Sequence, residues 1–127
     1  MPDAAYLEGV DLFNRGEYWN AHEAWERVWI GLPKGSADRR FYQGLILLAA
    51  ALLHRERART APERSARPAL RCYRSGMEKL EGLPDVYFEL DLATLKREAA
   101  ACFEPVAAGA PEAEWPAAPR LAPGRGR

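Results

Sequence analysis

The residues of this sequence best suited to chemistry are a histidine and two glutamates in a tryptophan-rich segment. His22, Glu23 and Glu26 occur as His-Glu-x-x-Glu in a stretch that predicts a helix running to about Ile30. The spacing resembles the zinc-binding pattern His-Glu-x-x-His, with glutamate in place of the second histidine. A metal ion would need a further ligand. His54 is a poor candidate because eleven helical residues, about 16 Å, separate it from Gln43.

The same helix carries an aromatic stripe. At about 100° per residue, four side chains fall within about 60° of one another. They are Tyr18, His22, Trp25 and Trp29. Glu26 lies one turn beyond His22 and within reach of its ring. Glu23 is expected to point away from the stripe, toward solvent or another helix.

A polar group is predicted where the first three helices meet. Gln43 sits in an otherwise apolar turn and needs a hydrogen-bond partner if buried, and Asn14 could approach the start of the second helix. The candidate ligand-binding residues are Asn14, Tyr18, His22, Glu23, Glu26, Trp29 and Gln43. Two interpretations compete: a ligand pocket, or a fully hydrogen-bonded network that fixes helix packing.

Three functional hypotheses follow. The first is a non-enzymatic module that binds a small ligand or a protein partner around His22, Glu26 and Trp29. The second is a metal-dependent hydrolase that uses His22 and Glu26. The third is a structural or oligomerising protein, with Trp19 in a self-interface. The sequence contains no phosphate-binding glycine loop and no Gly-x-Ser-x-Gly motif. We therefore favour a protein that is not an enzyme and predict no cofactor and no resident metal.

The positioning elements are predicted to be about five helices without a strand, in an all-α bundle. Asp3 to Arg15 and the following helix to Ile30 should form a tight antiparallel hairpin with Gly16 at the turn. The third helix starts near Ser36 or Asp38 and reaches about Arg57. Its run from Leu45 to Leu53 is apolar on all sides, as in a central buried helix.

The later part of the chain is less regular. A fourth helix reaches Glu81 and starts either at Thr60, which has capping-box spacing to Glu63, or at Pro68. A last helix, Leu92 to Phe103, is capped by Asp91. Residues 1–104 are predicted to form the domain. Residues 105–127 form a tail rich in proline and alanine, flexible or draped on the surface, that Trp115 could anchor.

Composition limits the partners. Eighteen basic and eighteen acidic side chains in 127 residues give no net charge, which argues against nucleic acid. An arginine-rich stretch is expected to be a solvated helix end and loop. It comprises Arg55, Arg57, Arg59, Arg64, Arg67 and Arg71. Without a signal-like segment or an apolar run of about 20 residues, we predict a cytoplasmic protein with no membrane partner. Cys72 and Cys102 are expected to be reduced.

The motifs resemble one family. The residues Phe13-Asn14-x-Gly16-Glu17-Tyr18-x-x-Ala21-His22-Glu23-x-x-Glu26-x-x-Trp29, then Phe41-Tyr42-Gln43-Gly44-Leu45-Ile46 and His54, resemble domain of unknown function 309 over about residues 4–103. The resemblance implies a compact multihelical protein with His22, Glu23, Glu26, Trp29, Gln43 and Gly44 at signature positions. Pro68-Ala69 departs from the Gly-Ala pair frequent in this family. The first helix pair also resembles, more weakly, one tetratricopeptide repeat.

Overall fold

The computed structural model describes residues 3–61 and 63–122. Within these residues the chain forms five α-helices, one small hairpin and a final 3-10 turn. In chain order they are α1 (Ala4–Asn14), α2 (Tyr18–Trp29), α3 (Ala37–Thr60), α4 (Arg67–Leu80), β1 (Val86–Tyr87), β2 (Leu90–Asp91), α5 (Leu92–Ala107) and the turn Glu112–Glu114. The predicted all-α bundle is confirmed. In this part of the chain, no helix is long and apolar enough to cross a membrane.

Local capping signals set the helix starts. The side chains of Asp3, Ser36 and Asp91 each accept a hydrogen bond from the backbone N–H three residues further on. Ser36, rather than Asp38, therefore caps α3. Gly16 has a φ of +82°, the left-handed conformation that ends α1 and allows α2 to begin two residues later.

The fourth helix begins at the later of its two predicted starts. Pro68 lies in the first turn of α4, where its missing N–H costs no helical hydrogen bond. Thr60 is instead the last residue of α3, and its hydroxyl donates to the backbone carbonyl of Glu56 at 3.1 Å. The alternative start at Thr60 was therefore wrong. Pro62, within that motif, lies outside the described residues.

The hairpin before α5 was not predicted. Val86 pairs with Asp91, and Tyr87 pairs with Leu90. The two turn residues, Phe88 and Glu89, both have positive φ, at 48° and 63°. Residues other than glycine and asparagine rarely adopt a positive φ. This turn contains neither of them, so its sequence lacks the usual signal of a two-residue hairpin. Tertiary packing holds it, because the Phe88 ring lies 5.3–5.9 Å from three core rings. These belong to Tyr6, Phe41 and Tyr42.

One close contact joins α1 to α2. The Trp25 ring is fully buried, and its Nε1 donates to the backbone carbonyl of Tyr6 at 3.1 Å. A Cβ atom on Gly9 would lie within 2.6 Å of three atoms of that ring. Phe13 and Tyr18 meet edge to face at the other end of the pair. These contacts run in opposite chain directions, which confirms the predicted antiparallel hairpin.

The central helix is α3, which packs on α2 and α4. Its predicted apolar run is confirmed: Leu45, Leu48 and Leu52 have at most 2% of their surface exposed. Gly44 and Gly76 allow α3 and α4 to approach closely. A Cβ on Gly44 would lie 2.6 Å from Leu80 Cγ, and one on Gly76 would lie 3.2 Å from the Gly44 carbonyl oxygen.

Arg55 differs from its predicted solvated position. Its side chain is 1% exposed, and Nη1 lies 2.8 Å from Cys102 Sγ. Glu56 Oε2 is 3.7 Å from Nη2, while Nε has no hydrogen-bond partner in the described part of the chain. The charge is thus inside the bundle between α3 and α5. Both cysteines are free thiols, as predicted.

The segment after α5 returns to the start of the bundle. Trp115 packs partly buried against the core, and its Nε1 donates to the Ala110 carbonyl at 2.9 Å. Leu121 is 4% exposed. The helix α5 continues through residue 104, where the sequence analysis divided the domain from the tail. That division remains a prediction, and Pro123 and the residues beyond it lie outside the described part.

Arg39 holds the end of α2 against the start of α3. Its Nη1 donates to the backbone carbonyls of Trp29 at 3.2 Å and Leu32 at 2.7 Å. Its guanidinium carbon lies 4.2 Å from the centre of the Trp29 ring. One side chain therefore satisfies two carbonyls at a helix end and fixes the Trp29 indole.

We expect Gly9→Ala to destabilise the protein by about 2 kcal/mol. The added methyl displaces the Trp25 ring, and this overpacking outweighs the better helix propensity of alanine. Urea unfolding measures the change. Gly31→Ala is the control, because the nearest atom to its Cβ would be 3.8 Å away. Equal unfolding midpoints for the two variants would contradict the prediction.

We expect Arg39→Met to lower the free energy of unfolding by about 1–3 kcal/mol, since two hydrogen bonds and the ring contact are lost. Arg27→Met is the matched control. Arg27 forms an exposed ion pair with Glu8 at 3.6 Å, and its loss should cost below about 0.5 kcal/mol. Thermal unfolding compares them, and a control that loses as much stability as Arg39→Met would refute this role.

Candidate functional site

The rotation of α2 places its polar residues at one edge of its buried face. Tyr18, Ala21 and Trp25 are buried against α1 and α3. His22, Glu26 and Trp29 are only partly buried. Because each residue turns the helix by about 100°, His22 and Glu26 lie beside the buried face rather than at its centre. The predicted stripe is therefore split between the core and its edge.

His22, Glu23 and Glu26 form one cluster. Each offers one ligand atom, and these atoms all lie within 4.8 Å of one another. Nδ1 of His22 is 3.9 Å from Glu23 Oε2, which is too far for a hydrogen bond. The His22 side chain is 20% exposed and that of Glu23 is 47% exposed. Glu23, predicted to point away from His22, is thus near it at the solvent edge.

The cluster is not a satisfied polar network. Nδ1 of His22 is buried and has no hydrogen-bond partner among residues 3–61 and 63–122. Nε1 of Trp29 is in the same condition. Buried polar atoms without partners are uncommon and cost free energy. These two atoms are therefore the unusual feature of this face.

A small cavity adjoins the cluster. Its volume is about 100 Å³, and side chains of α2 and α3 line it. They are Glu26, Trp29, Gln43, Ile46 and Leu47. The predicted hydrogen bond from Gln43 across the helix interface is not formed within the described part of the chain. The amide instead contributes a polar group to the cavity wall.

Trp19 is an addition to the predicted site. Its ring stacks on the His22 ring with centroids 5.3 Å apart and planes 5° apart. Because the rings are stacked, Trp19 shields one face of the imidazole from solvent, while the Trp19 residue itself is 54% exposed. Stacking leaves the ring-plane lone pair of a nitrogen free, since that lone pair lies perpendicular to the stacking direction. The i, i+3 spacing of the two residues was the available sequence signal.

Two predicted members of the site lie elsewhere. The side chain of Asn14 pairs with the backbone of Leu121, with Nδ2 donating at 2.9 Å and Oδ1 accepting at 2.7 Å. Its amide fits that extended segment better than the start of α2. Tyr18 is 9% exposed within the core, and burial raises the pKa of its hydroxyl. Neither side chain joins His22.

The comparison with protein families agrees with the sequence motifs. No curated protein matches this sequence. The model of the family described as Domain of unknown function (DUF309) matches residues 6–65. This range contains most of α1, all of α2 and α3, and with them the whole His22 cluster and the cavity beside it. Over these residues the chain is similar to the domain of unknown function 309 family, which supports the resemblance found in its motifs.

Proposed function

We propose that the protein binds a small ligand on the face around His22, Glu26 and Trp29, and that this ligand is a divalent transition-metal ion. The observation that carries the proposal is the approach of three ligand atoms from His22, Glu23 and Glu26 to within 4.8 Å. One imidazole nitrogen and two carboxylate oxygens are a donor set that Zn²⁺, Mn²⁺ and Fe²⁺ accept. The proposal departs from the sequence-based prediction of no metal.

The unpartnered nitrogen of His22 supports this choice of ligand. A metal–nitrogen bond would use the lone pair of Nδ1, which has no hydrogen-bond partner. The stacked Trp19 ring would keep the imidazole plane fixed while the ion approaches within that plane. In a tetrahedral zinc site, ligand atoms about 2.0–2.2 Å from the metal are about 3.3–3.6 Å apart. The carboxylates would therefore move inward by about 1 Å, which side-chain rotation permits.

The cavity beside the cluster supports a site with an open coordination position. Three protein ligands leave room for water or for a ligand group, as in catalytic rather than structural zinc sites. Glu26 lines the cavity of about 100 Å³, so an exchangeable ligand would lie between α2 and α3. This openness is what favours the metal-dependent hydrolase as the second candidate function.

The compartment we propose is the cytoplasm, and the free thiols of Cys72 and Cys102 support it. In a reducing compartment thiols stay reduced. Self-association through Trp19 remains a prediction. Because Trp19 stacks on His22, a self-interface there would cover the metal cluster.

We expect the purified protein, stripped with chelator, to bind one Co²⁺ ion, and His22→Ala to weaken this binding by roughly tenfold or more. Co²⁺ is the probe because its visible absorption reports the coordination geometry. Glu26→Gln should weaken binding similarly and change the spectrum, since an amide is a poorer ligand than a carboxylate. Isothermal titration with Zn²⁺ gives an independent affinity.

His54→Ala is the control, because it removes the other histidine of the chain. It should bind Co²⁺ as the unmodified protein does. No saturable binding by the unmodified protein, or equal affinity in His22→Ala, would refute the metal site. Binding that is lost equally in both histidine variants would refute the assignment to this face.

A further inference from the structure

A second cavity lies where α3 ends and α4 begins. Its volume is about 320 Å³, and it is open to solvent. The lining is polar and basic apart from one proline. It consists of His54, Arg57, Arg64, Ser65 and Pro68. Two members of the arginine-rich stretch, Arg57 and Arg64, therefore line a concave surface.

Positive charge is concentrated at this cavity. Partial burial, and then the charges of Arg57, Arg64 and Arg71, lower the pKa of His54. These arginines come from α3, the connecting loop and α4, so the positive field comes from each element that borders the cavity. A purely structural role, in which an arginine offsets the partial negative charge at the carboxyl end of α3, explains the position of Arg57 but not those of Arg64 and Arg71.

Acidic side chains do not neutralise this group. Glu56, on α3, is already occupied by Arg55 and Arg59 at 3.7 and 3.1 Å. Glu63 is exposed in the loop. Within residues 3–61 and 63–122, neither Arg57 nor Arg64 nor Arg71 forms an ion pair. Arg57 and Arg64 therefore bring to the cavity a positive charge that an anion would offset, and Arg71 adds to it from the neighbouring surface.

The start of α4 adds to this field. The helix has fourteen residues; Ala66, at its amino-terminal cap, offers no side-chain acceptor, and Ser65 Oγ accepts from the backbone N–H of Arg67 at 3.0 Å. The partial positive charge of this helix end therefore faces the same end of the bundle as Arg64 and Pro68. This feature only reinforces the arginine group, which carries the argument.

We propose that the cavity lined by His54, Arg57 and Arg64 binds a phosphate group, either free or carried by a small molecule. Guanidinium groups donate paired hydrogen bonds to phosphate oxygens, and the two that line the cavity would match the charge of a phosphate dianion. The Ser65 hydroxyl, at the same surface, accepts from the backbone N–H of Arg67 at 3.0 Å and can still donate its own proton to a phosphate oxygen. The site is separate from the His22 cluster and does not depend on the metal proposal.

A nucleic acid fits this surface less well. A neighbouring cavity continues the basic surface along α4, lined by Arg67, Leu70, Arg71, Arg74 and Ser75. Neither cavity has an aromatic side chain in its lining on which a base could stack. The chain also has equal numbers of basic and acidic residues. These observations favour a small phosphorylated ligand.

The test is a pH titration of the two histidine rings by NMR, with inorganic phosphate or with chloride at equal ionic strength. We expect phosphate to raise the pKa of His54 saturably, because the anion offsets the charges of Arg57, Arg64 and Arg71. His22 serves as the internal control and should not change. Equal responses of both rings, or no response of His54, would overturn the proposal.

Variants locate the site. Arg57→Gln and Arg64→Gln should each weaken phosphate binding by roughly tenfold, since each removes charge-assisted hydrogen bonds from the cavity lining. Arg97→Gln is the matched control: Arg97 is exposed on α5 and donates to Thr94 at 2.9 Å. The proposal is overturned if the control loses as much affinity as the other two.

Two further probes distinguish the sources of the phosphate. Phenyl phosphate that binds at least tenfold more tightly than inorganic phosphate would support a ligand that carries the group. Equal affinity would support free phosphate. A twelve-nucleotide single strand that binds while inorganic phosphate does not would overturn the proposal in favour of a nucleic-acid surface.

Discussion

The contact between the Trp25 ring and the backbone of α1 at Gly9 is the constraint on which the rest of the structure depends. A tryptophan buried completely can donate its N–H only where a carbonyl is exposed, and the absent Cβ of Gly9 opens that approach to Tyr6. This contact fixes how α2 is rotated about its axis. Since His22 and Glu26 each follow a buried residue, the rotation sends them to the edge of the core. Polar atoms with unused hydrogen-bonding capacity thus lie near solvent and not deep inside the core.

The central helix imposes the second constraint. Gly44 faces α4 so closely that a side chain has no space there. Gln43 precedes it by about 100° of helical rotation and therefore faces α2. The same crossing that brings α3 against α4 consequently supplies the amide wall of the cavity beside Glu26. Helix packing and the composition of the site are two results of one sequence pattern, a small residue next to a polar one.

The helix bounds could be predicted because they depend on interactions between residues close in sequence. The features that were not predicted depend on contacts between residues far apart in sequence. Asp3, Ser36 and Gly16 act within four residues of their positions, so sequence spacing was enough to find them. Asn14 joins Leu121, 107 residues away, and no periodicity reports such a partner. The positive φ values at Phe88 and Glu89 are held by distant rings. In the candidate site, the sequence spacing of His22, Glu23 and Glu26 indicated the cluster on α2. That His22 lacks hydrogen-bond partners in the described part of the chain could be learned only from the three-dimensional structure.

The neutral composition of the chain conceals a segregation of charge. Acidic and imidazole groups gather on α2 around His22, while arginines gather around His54, about eleven residues beyond Gln43 along α3. Interactions between charges weaken strongly over about one Debye length, close to 8–10 Å, so each group acts on its own surroundings. A net charge of zero therefore excludes neither a cation site nor an anion site on this fold. The two histidines differ for the same reason: His22 has carboxylates within reach and His54 has guanidinium groups. The ligands that we propose for these two identical side chains are therefore of opposite charge.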